Sequence, residues 1–74
     1  MKTIFDLAIS AAEMEDILGQ TMNADEYAKL RTNPDEIAGD TYCLLRYRGN
    51  DAEAETVLAQ IGDKAFAESL KSSF

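Results

Sequence analysis

The sequence predicts an all-α protein, a compact bundle of four to five short helices that forms one domain over residues 1–74. Helix starts are marked by short polar residues with an acidic residue three positions later, which is the spacing of a capping box. Apolar residues recur at the i, i+3, i+4 spacing of one helix face, and glycines follow these runs, where helices commonly end. The capping pairs are Thr3 with Asp6, Asn23 with Glu26, Asn33 with Glu36 and Asn50 with Glu53, and the glycines are Gly19, Gly49 and Gly62.

The first helix is predicted to run from about Ile4 to Leu18 and to end at Gly19. The opposite face of this helix is mixed, because Phe5 and Ile9 lie one turn apart there beside acidic residues. We expect either that the rest of the protein covers both faces or that the second face binds a partner. The apolar stripe on the first face consists of Ile4, Leu7, Ala8, Ala11, Met14 and Leu18.

A short second helix is expected from Asn23 to about Arg31, with Tyr27 and Leu30 facing the core. Its last turn is basic, at Lys29 and Arg31, and cations are favoured at that end of the helix dipole. We therefore expect an amphipathic helix that packs along its tyrosine and leucine.

The third helix has the most complete set of signals. Asn33 is the expected cap, Pro34 stands at the first helical position, and a glycine follows the arginines of the last turn. Gly39 inside this helix costs roughly 1 kcal/mol relative to alanine, and the aromatic residues and alternation of 41–48 also fit a strand. The segment from about Lys2 to Leu7 is the candidate strand partner, so an α+β fold with a small sheet remains the alternative.

A fourth helix is predicted from Asp51 to Ile61, and Asp63 is expected to cap a fifth. The tail of the chain is expected to fray unless Phe74 docks onto the bundle. The apolar positions are Ala54, Val57, Leu58 and Ile61 in the fourth helix and Ala65, Phe66, Ala67 and Leu70 in the fifth.

The residue types present also limit the chemistry. The chain has one cysteine, Cys43, and no histidine, so neither a disulfide nor a zinc site is expected within one chain. Cys43 stands between Tyr42 and Leu44, a setting in which a free cysteine behaves as a small buried hydrophobe. No histidine is available to activate it as a nucleophile. We expect no enzymatic activity, no cofactor and no bound metal.

The net charge of −7 argues against DNA or RNA as a direct ligand, because phosphate neutralisation requires a basic face. Residues 1–28 carry a net charge of −5 and residues 50–74 carry −3, whereas residues 29–49 carry +1. If helices one and four pack near each other, their carboxylates form a continuous negative surface. The candidate partner-binding residues are Phe5, Ile9, Glu13, Asp16, Asp25, Glu26, Asp51, Glu53 and Glu55.

The sequence also favours a cytoplasmic location. The first ten residues lack the apolar core of a signal peptide because Asp6 interrupts them, and no run of residues is apolar and long enough to cross a bilayer. A lone cysteine is typical of a reducing compartment. We expect no association with a membrane.

In length, negative charge and lack of a catalytic motif, the whole chain resembles the small acidic inhibitors that phages and mobile elements encode against host nucleases. These include anti-CRISPR and anti-restriction proteins, some of which mimic DNA. The resemblance implies a non-enzymatic inhibitor in the host bacterial cytoplasm. It would bind the basic nucleic-acid-binding surface of a defence nuclease or effector complex and block DNA access. The acidic face would be steered to a basic groove, with Phe5 and Ile9 as a desolvated apolar anchor.

The alternative function is a helical protein–protein interaction or homodimerisation module unrelated to nucleic acid. In that case an exposed stripe of Phe5 and Ile9 forms the interface. Salt separates the two functions, because an electrostatic contact weakens as salt rises, whereas an apolar contact persists or tightens.

Overall fold

The computed structural model describes residues 3–74, which contain five helices and no strand. The predicted all-α class is therefore confirmed. The α+β alternative is wrong for the described residues, because 41–47 lie inside the third helix. Lys2, at the start of the segment predicted to pair with a strand, lies outside the described residues. The helices are α1 (Ala11–Leu18), α2 (Ala24–Leu30), α3 (Pro34–Tyr47), α4 (Asp51–Ala59) and α5 (Lys64–Ser72).

Helix α3 is the centre of the bundle and is buried on two sides. On one side Tyr42 and Leu45 pack with residues of α4 and α5, and on the other Leu44 packs with Ile4 and Tyr27. Helices α1, α4 and α5 each pack against α3. A helix covered on two sides can be apolar around most of its circumference, which explains why residues 41–48 lack a clear helical periodicity. The buried residues of α3 are Gly39, Asp40, Thr41, Tyr42, Leu44 and Leu45.

The bundle has the dimensions of a well-packed small domain. Its radius of gyration is 11.5 Å and its principal extents are 28 × 25 × 19 Å. A compact chain of this length is expected to have a radius of gyration of about 11 Å. The five short helices therefore enclose their core without a long extension.

The first helix begins later than predicted. It starts at Ala11, with Ser10 as its cap and Glu13 completing a full capping box. The amide of Glu13 donates to the Ser10 hydroxyl at 3.2 Å, and the amide of Ser10 donates to the Glu13 carboxylate at 3.0 Å. The prediction of a helix from Ile4 is wrong because this reciprocal pair sets the start instead.

Residues before Ser10 form a turn that Thr3 and Asp6 close. The amide of Thr3 donates to the Asp6 carboxylate at 2.6 Å, so the predicted pair does bond, but no helix follows it. Ala8 has a φ of +53°, a left-handed conformation that interrupts a right-handed helix. Of the predicted apolar stripe, Ile4 and Met14 are buried whereas Ala8 and Ala11 are exposed.

The other predicted caps have mixed outcomes. Asn23 forms a full capping box with Glu26, as predicted. Asn33 caps α3, but its side chain accepts from the amide of Asp35 and not from that of Glu36. The Asn33 box is therefore wrong in detail, because the Glu36 carboxylate is bound by an arginine instead.

Asn50 occupies the cap position of α4 without a capping hydrogen bond from its side chain, so its predicted box with Glu53 is wrong. Asp63 caps α5 as predicted, accepting from the amide of Phe66 at 3.1 Å. Helix α4 ends at Ala59, two residues before its predicted end.

Gly19 and Gly49 end α1 and α3 in the left-handed conformation, with φ of +81° and +79°. Both predicted stops are confirmed, because glycine adopts this conformation without a steric cost. Gly39 has a different role. A Cβ atom at this position would lie 2.9 Å from Cζ of Phe66 on α5. The glycine that weakens α3 locally therefore allows α5 to approach it closely.

Leu30 and Phe74 are large apolar residues exposed at the surface. Tyr27 is buried, as predicted, but Leu30 is wrongly assigned to the core because it is 53% exposed. Phe74 is equally exposed but docks by one edge, with its ring centroid 5.8 Å from that of Tyr42. The guanidinium of Arg46 lies 5.4 Å from the Phe74 ring centroid.

Candidate functional site

Two carboxylates of α1, Glu13 and Asp16, contact residues at the end of α3. Glu13 is held by Arg48, with Nε 2.8 Å from one carboxylate oxygen and Nη2 3.0 Å from the other. The same guanidinium donates to the backbone carbonyls of Leu7 at 2.8 Å and Ala8 at 3.2 Å. One arginine thus joins the N-terminal turn, α1 and α3.

This contact changes the acidity of the groups involved. The Arg48 hydrogen bonds, together with the amide of Ser10, lower the pKa of Glu13 from 4.5 to about 2. The Glu13 carboxylate in turn raises the pKa of Arg48. Both groups stay charged near neutral pH, so Glu13 serves an internal ion pair.

Two further candidate carboxylates have partners near the same end of α3. The hydroxyl of Tyr47 donates to Asp16 at 2.9 Å, and this bond raises the pKa of Tyr47. The carboxylate of Asp51, at the start of α4, lies 3.7 Å from Nε of Arg46. Glu13, Asp16 and Asp51 therefore surround a basic helix end.

The predicted continuous negative surface is therefore interrupted. It requires α1 and α4 to lie near each other, and both helices pack against α3. The arginines at positions 46 and 48 lie among the carboxylates of the two helices. The separation of charge along the sequence did not predict this interruption. In the folded protein, basic residues of the middle segment pair with acidic residues of both flanking segments.

The remaining candidate carboxylates form no ion pair within residues 3–74. Glu26 is engaged in the capping box of α2, next to exposed Asp25. Glu53 and Glu55 are exposed on α4. Within residues 3–74, five exposed carboxylates have no hydrogen-bonding or ionic partner. They are Glu15, Asp25, Glu53, Glu55 and Glu68.

Phe5 and Ile9 are half-buried and pack against the cluster of Ile4, Tyr27 and Leu44. The Phe5 ring meets that of Tyr27 edge to face, with centroids 5.4 Å apart. The expected exposed stripe is wrong, because the N-terminal turn directs these side chains towards the protein.

A buried polar network was not predicted. Asp40 on α3 is only 9% exposed, and it accepts from the hydroxyl of Tyr27 at 2.8 Å and from Nε of Arg31 at 3.0 Å. Arg31 also contacts Glu36 at 3.1 Å. Burial, followed by the bond to Asp40, raises the pKa of Tyr27. The sequence signal that could have predicted this network was Asp40 itself, an acidic residue among the core positions of α3.

Two grooves run along α3. The first, of about 410 Å³, lies between α3 and α4. The second, of about 310 Å³, lies between α3 and α5 and includes Cys43. Burial, and then the charge of Asp40, raises the pKa of the Cys43 thiol. Cys43 is half-buried at a groove wall, which is more exposed than the expected core position.

No family model, curated protein or solved structure matches this chain. The geometry of the described residues therefore carries the functional argument. Among residues 3–74, no three or more histidine, cysteine, aspartate or glutamate side chains are grouped to hold a metal ion. None of the five helices combines the length and apolar character needed to span a membrane.

Proposed function

We propose that this protein is a non-enzymatic inhibitor that binds the basic nucleic-acid-binding surface of a host defence nuclease or effector complex. One observation carries the proposal: five exposed carboxylates on four of the helices have no basic partner among the described residues. Their charge is directed to solvent, where it attracts a basic surface and accelerates encounter. In this anti-CRISPR-like mechanism the bound inhibitor blocks DNA access.

The carboxylates divide into two groups with different roles. Glu13, Asp16 and Asp51 have partners within the protein, so their loss weakens the fold as well as the negative field. The five unpartnered acids contribute to the field without holding tertiary structure. The target contacts are therefore assigned to this second group, which includes Asp25, Glu53 and Glu55 from the sequence-based candidates.

The alternative, a dimerisation or adaptor module built on Phe5 and Ile9, has less support. These side chains pack against the protein's own core. Only the part of each side chain that remains exposed is available to a partner. We therefore retain electrostatic inhibition as the proposal.

The test is affinity capture from bacterial lysate at low and high salt, with nuclease added to remove bridging nucleic acid. We expect to recover a nucleic-acid-binding effector that is lost at high salt, because salt screens exposed charges beyond about 10 Å at 0.1 M. Recovery of only the bait, or of a salt-resistant partner without a basic groove, would contradict the proposal.

A charge-reversal variant then tests the assigned residues. Lysine at positions 15, 25, 55 and 68 is expected to weaken effector binding by about tenfold or more, with the circular dichroism spectrum unchanged. Lys71→Glu, at an exposed position of α5, is the opposite control and should strengthen binding slightly. Equal binding by all three proteins would contradict the electrostatic mechanism.

A further inference from the structure

The groove between α3 and α4 combines an apolar wall with negative charge. Ala38 on α3 and Val57 on α4 are half-buried and pack against the core cluster of α3, α4 and α5. Two carboxylates line the same groove, Asp35 on α3 and Glu53 on α4. No lysine or arginine lines it. The full lining is Pro34, Asp35, Ala38, Thr41, Glu53, Thr56, Val57 and Gln60.

The two carboxylates differ in how they are used. Asp35 accepts from the amides of Gly62 and Asp63, each at 3.1 Å, and so joins α3 to the start of α5. These bonds use one acceptor position on each oxygen, and a carboxylate offers about four. Glu53 has no hydrogen-bonding or ionic partner within residues 3–74. The Glu53 carboxylate is therefore free to bind a cation in the groove. The Asp35 carboxylate, held in place by its two hydrogen bonds, adds to the negative potential there.

We propose that this groove receives an arginine side chain of a basic partner protein. The groove is then one docking contact of the proposed inhibitor, and the choice of partner rests on that proposed function. A long cationic side chain buries its aliphatic stem on an apolar wall while its head remains at a polar edge. Ala38 and Val57 supply the wall, and Glu53 supplies the counter-charge. A guanidinium also binds a carboxylate through two parallel hydrogen bonds, which an ammonium group does not do.

Charge complementarity favours an arginine from another protein over one from a second copy of this chain. The three arginines of this chain, Arg31, Arg46 and Arg48, are each paired with a carboxylate of the same molecule. A second copy would have to break one of these pairs to fill the groove. A basic nucleic-acid-binding surface already presents arginines to solvent.

The first test uses isotope-labelled protein and a short capped peptide, Gly-Gly-Arg-Gly-Gly, followed by nuclear magnetic resonance. The control peptide carries citrulline, which keeps the shape of arginine but lacks its charge. We expect amide shifts confined to residues 35–41 and 53–60 with the arginine peptide and much smaller shifts with citrulline. Shifts located elsewhere, or equal shifts with both peptides, would overturn the proposal.

Three variants test the roles of individual residues at the groove. Glu53→Gln is expected to weaken peptide binding about two- to fivefold, as for loss of an exposed ion pair. Glu55→Gln is the matched comparison, because it removes the same charge from α4 outside the groove lining. It should weaken peptide binding less than Glu53→Gln does, because it loses only long-range attraction. Thr56→Phe, at an exposed lining position, should obstruct the groove and reduce the shifts further. Equal losses in Glu53→Gln and Glu55→Gln would mean that net charge alone attracts the peptide.

The same variants separate this proposal from the broader function. If an effector is captured from lysate but binds Glu53→Gln and Thr56→Phe as tightly as the unchanged protein, the groove assignment is overturned and the inhibitor function stands. If the peptide binds in the groove and capture recovers no basic effector, the groove assignment is supported and the inhibitor function is contradicted.

Discussion

Arg48 and Glu13 form a two-point ion pair across 35 positions of sequence, with nitrogen–oxygen distances of 2.8 and 3.0 Å. The pair joins the first turn of α1 to the residue that follows the last residue of α3. Arg48 also donates to the carbonyls of Leu7 and Ala8, which lie on either side of the Cα atom of left-handed Ala8. A residue strained in this way persists only where surrounding contacts hold it. Arg48 therefore keeps the N-terminal turn folded against the core.

The first prediction concerns the titration of Glu13. Its pKa in the folded protein is about 2, below the ordinary 4.5. Its ionised form therefore stabilises the fold at higher pH, and this contribution is lost as the pH falls from about 4.5 towards 2. Carboxyl carbon resonances followed against pH should give a Glu13 midpoint near 2, and Arg48→Gln should raise it. An unchanged midpoint in that variant would show that Ser10 alone sets the acidity.

The second prediction concerns Gly39. Alanine there gains roughly 1 kcal/mol of helix propensity, but its Cβ would lie 2.9 Å from the Phe66 ring. Overpacking costs about 1–3 kcal/mol, so we expect Gly39→Ala to lower the free energy of unfolding despite the better helix former. Urea denaturation measures this. In a Phe66→Leu background the same substitution should be neutral or stabilising, and a loss of equal size in both backgrounds would exclude the ring contact as the cause.

The third prediction concerns the buried carboxylate of Asp40. Arg31→Met removes its charged partner and leaves a nearly buried negative charge with only the Tyr27 hydroxyl. We expect a loss of about 2 kcal/mol or more in the free energy of unfolding, because an uncompensated buried charge is costly. Adding Asp40→Leu should restore part of the loss. If the double variant is no more stable than Arg31→Met, the network does not act through buried charge.

The fourth prediction concerns Tyr42, whose hydroxyl is buried without a hydrogen-bonding partner in the described structure. A buried polar group without a partner costs about 1–3 kcal/mol. Tyr42→Phe should therefore leave the free energy of unfolding unchanged or raise it. The ring contact with Phe74 does not depend on the hydroxyl and should persist. Thermal and urea denaturation of the unchanged protein and of Tyr42→Phe measure the difference in stability. A clear loss of stability in the variant would indicate that the hydroxyl has a bound water as partner.

The local sequence determined the class of the fold and most helix ends. Asn23, Asn33 and Asp63 cap helices, and Gly19 and Gly49 end them, because these bonds and conformations involve residues within one turn. The start of α1 was also encoded locally, in the full capping box at Ser10. The apolar spacing of residues 4–8 obscured that signal, because a turn can bury the same side chains as a helix.

Tertiary structure decided which side chains are available to a partner. Position 53 is exposed at a groove, whereas Glu13 is tied to an arginine 35 residues away. The fit of Gly39 against Phe66 and the burial of Asp40 beside Arg31 also depend on distant segments meeting. Charge counts along the chain cannot separate paired from unpaired carboxylates. That separation depends on atoms within about 4 Å of each other in space, and for partners on different helices the packing of the helices sets those distances.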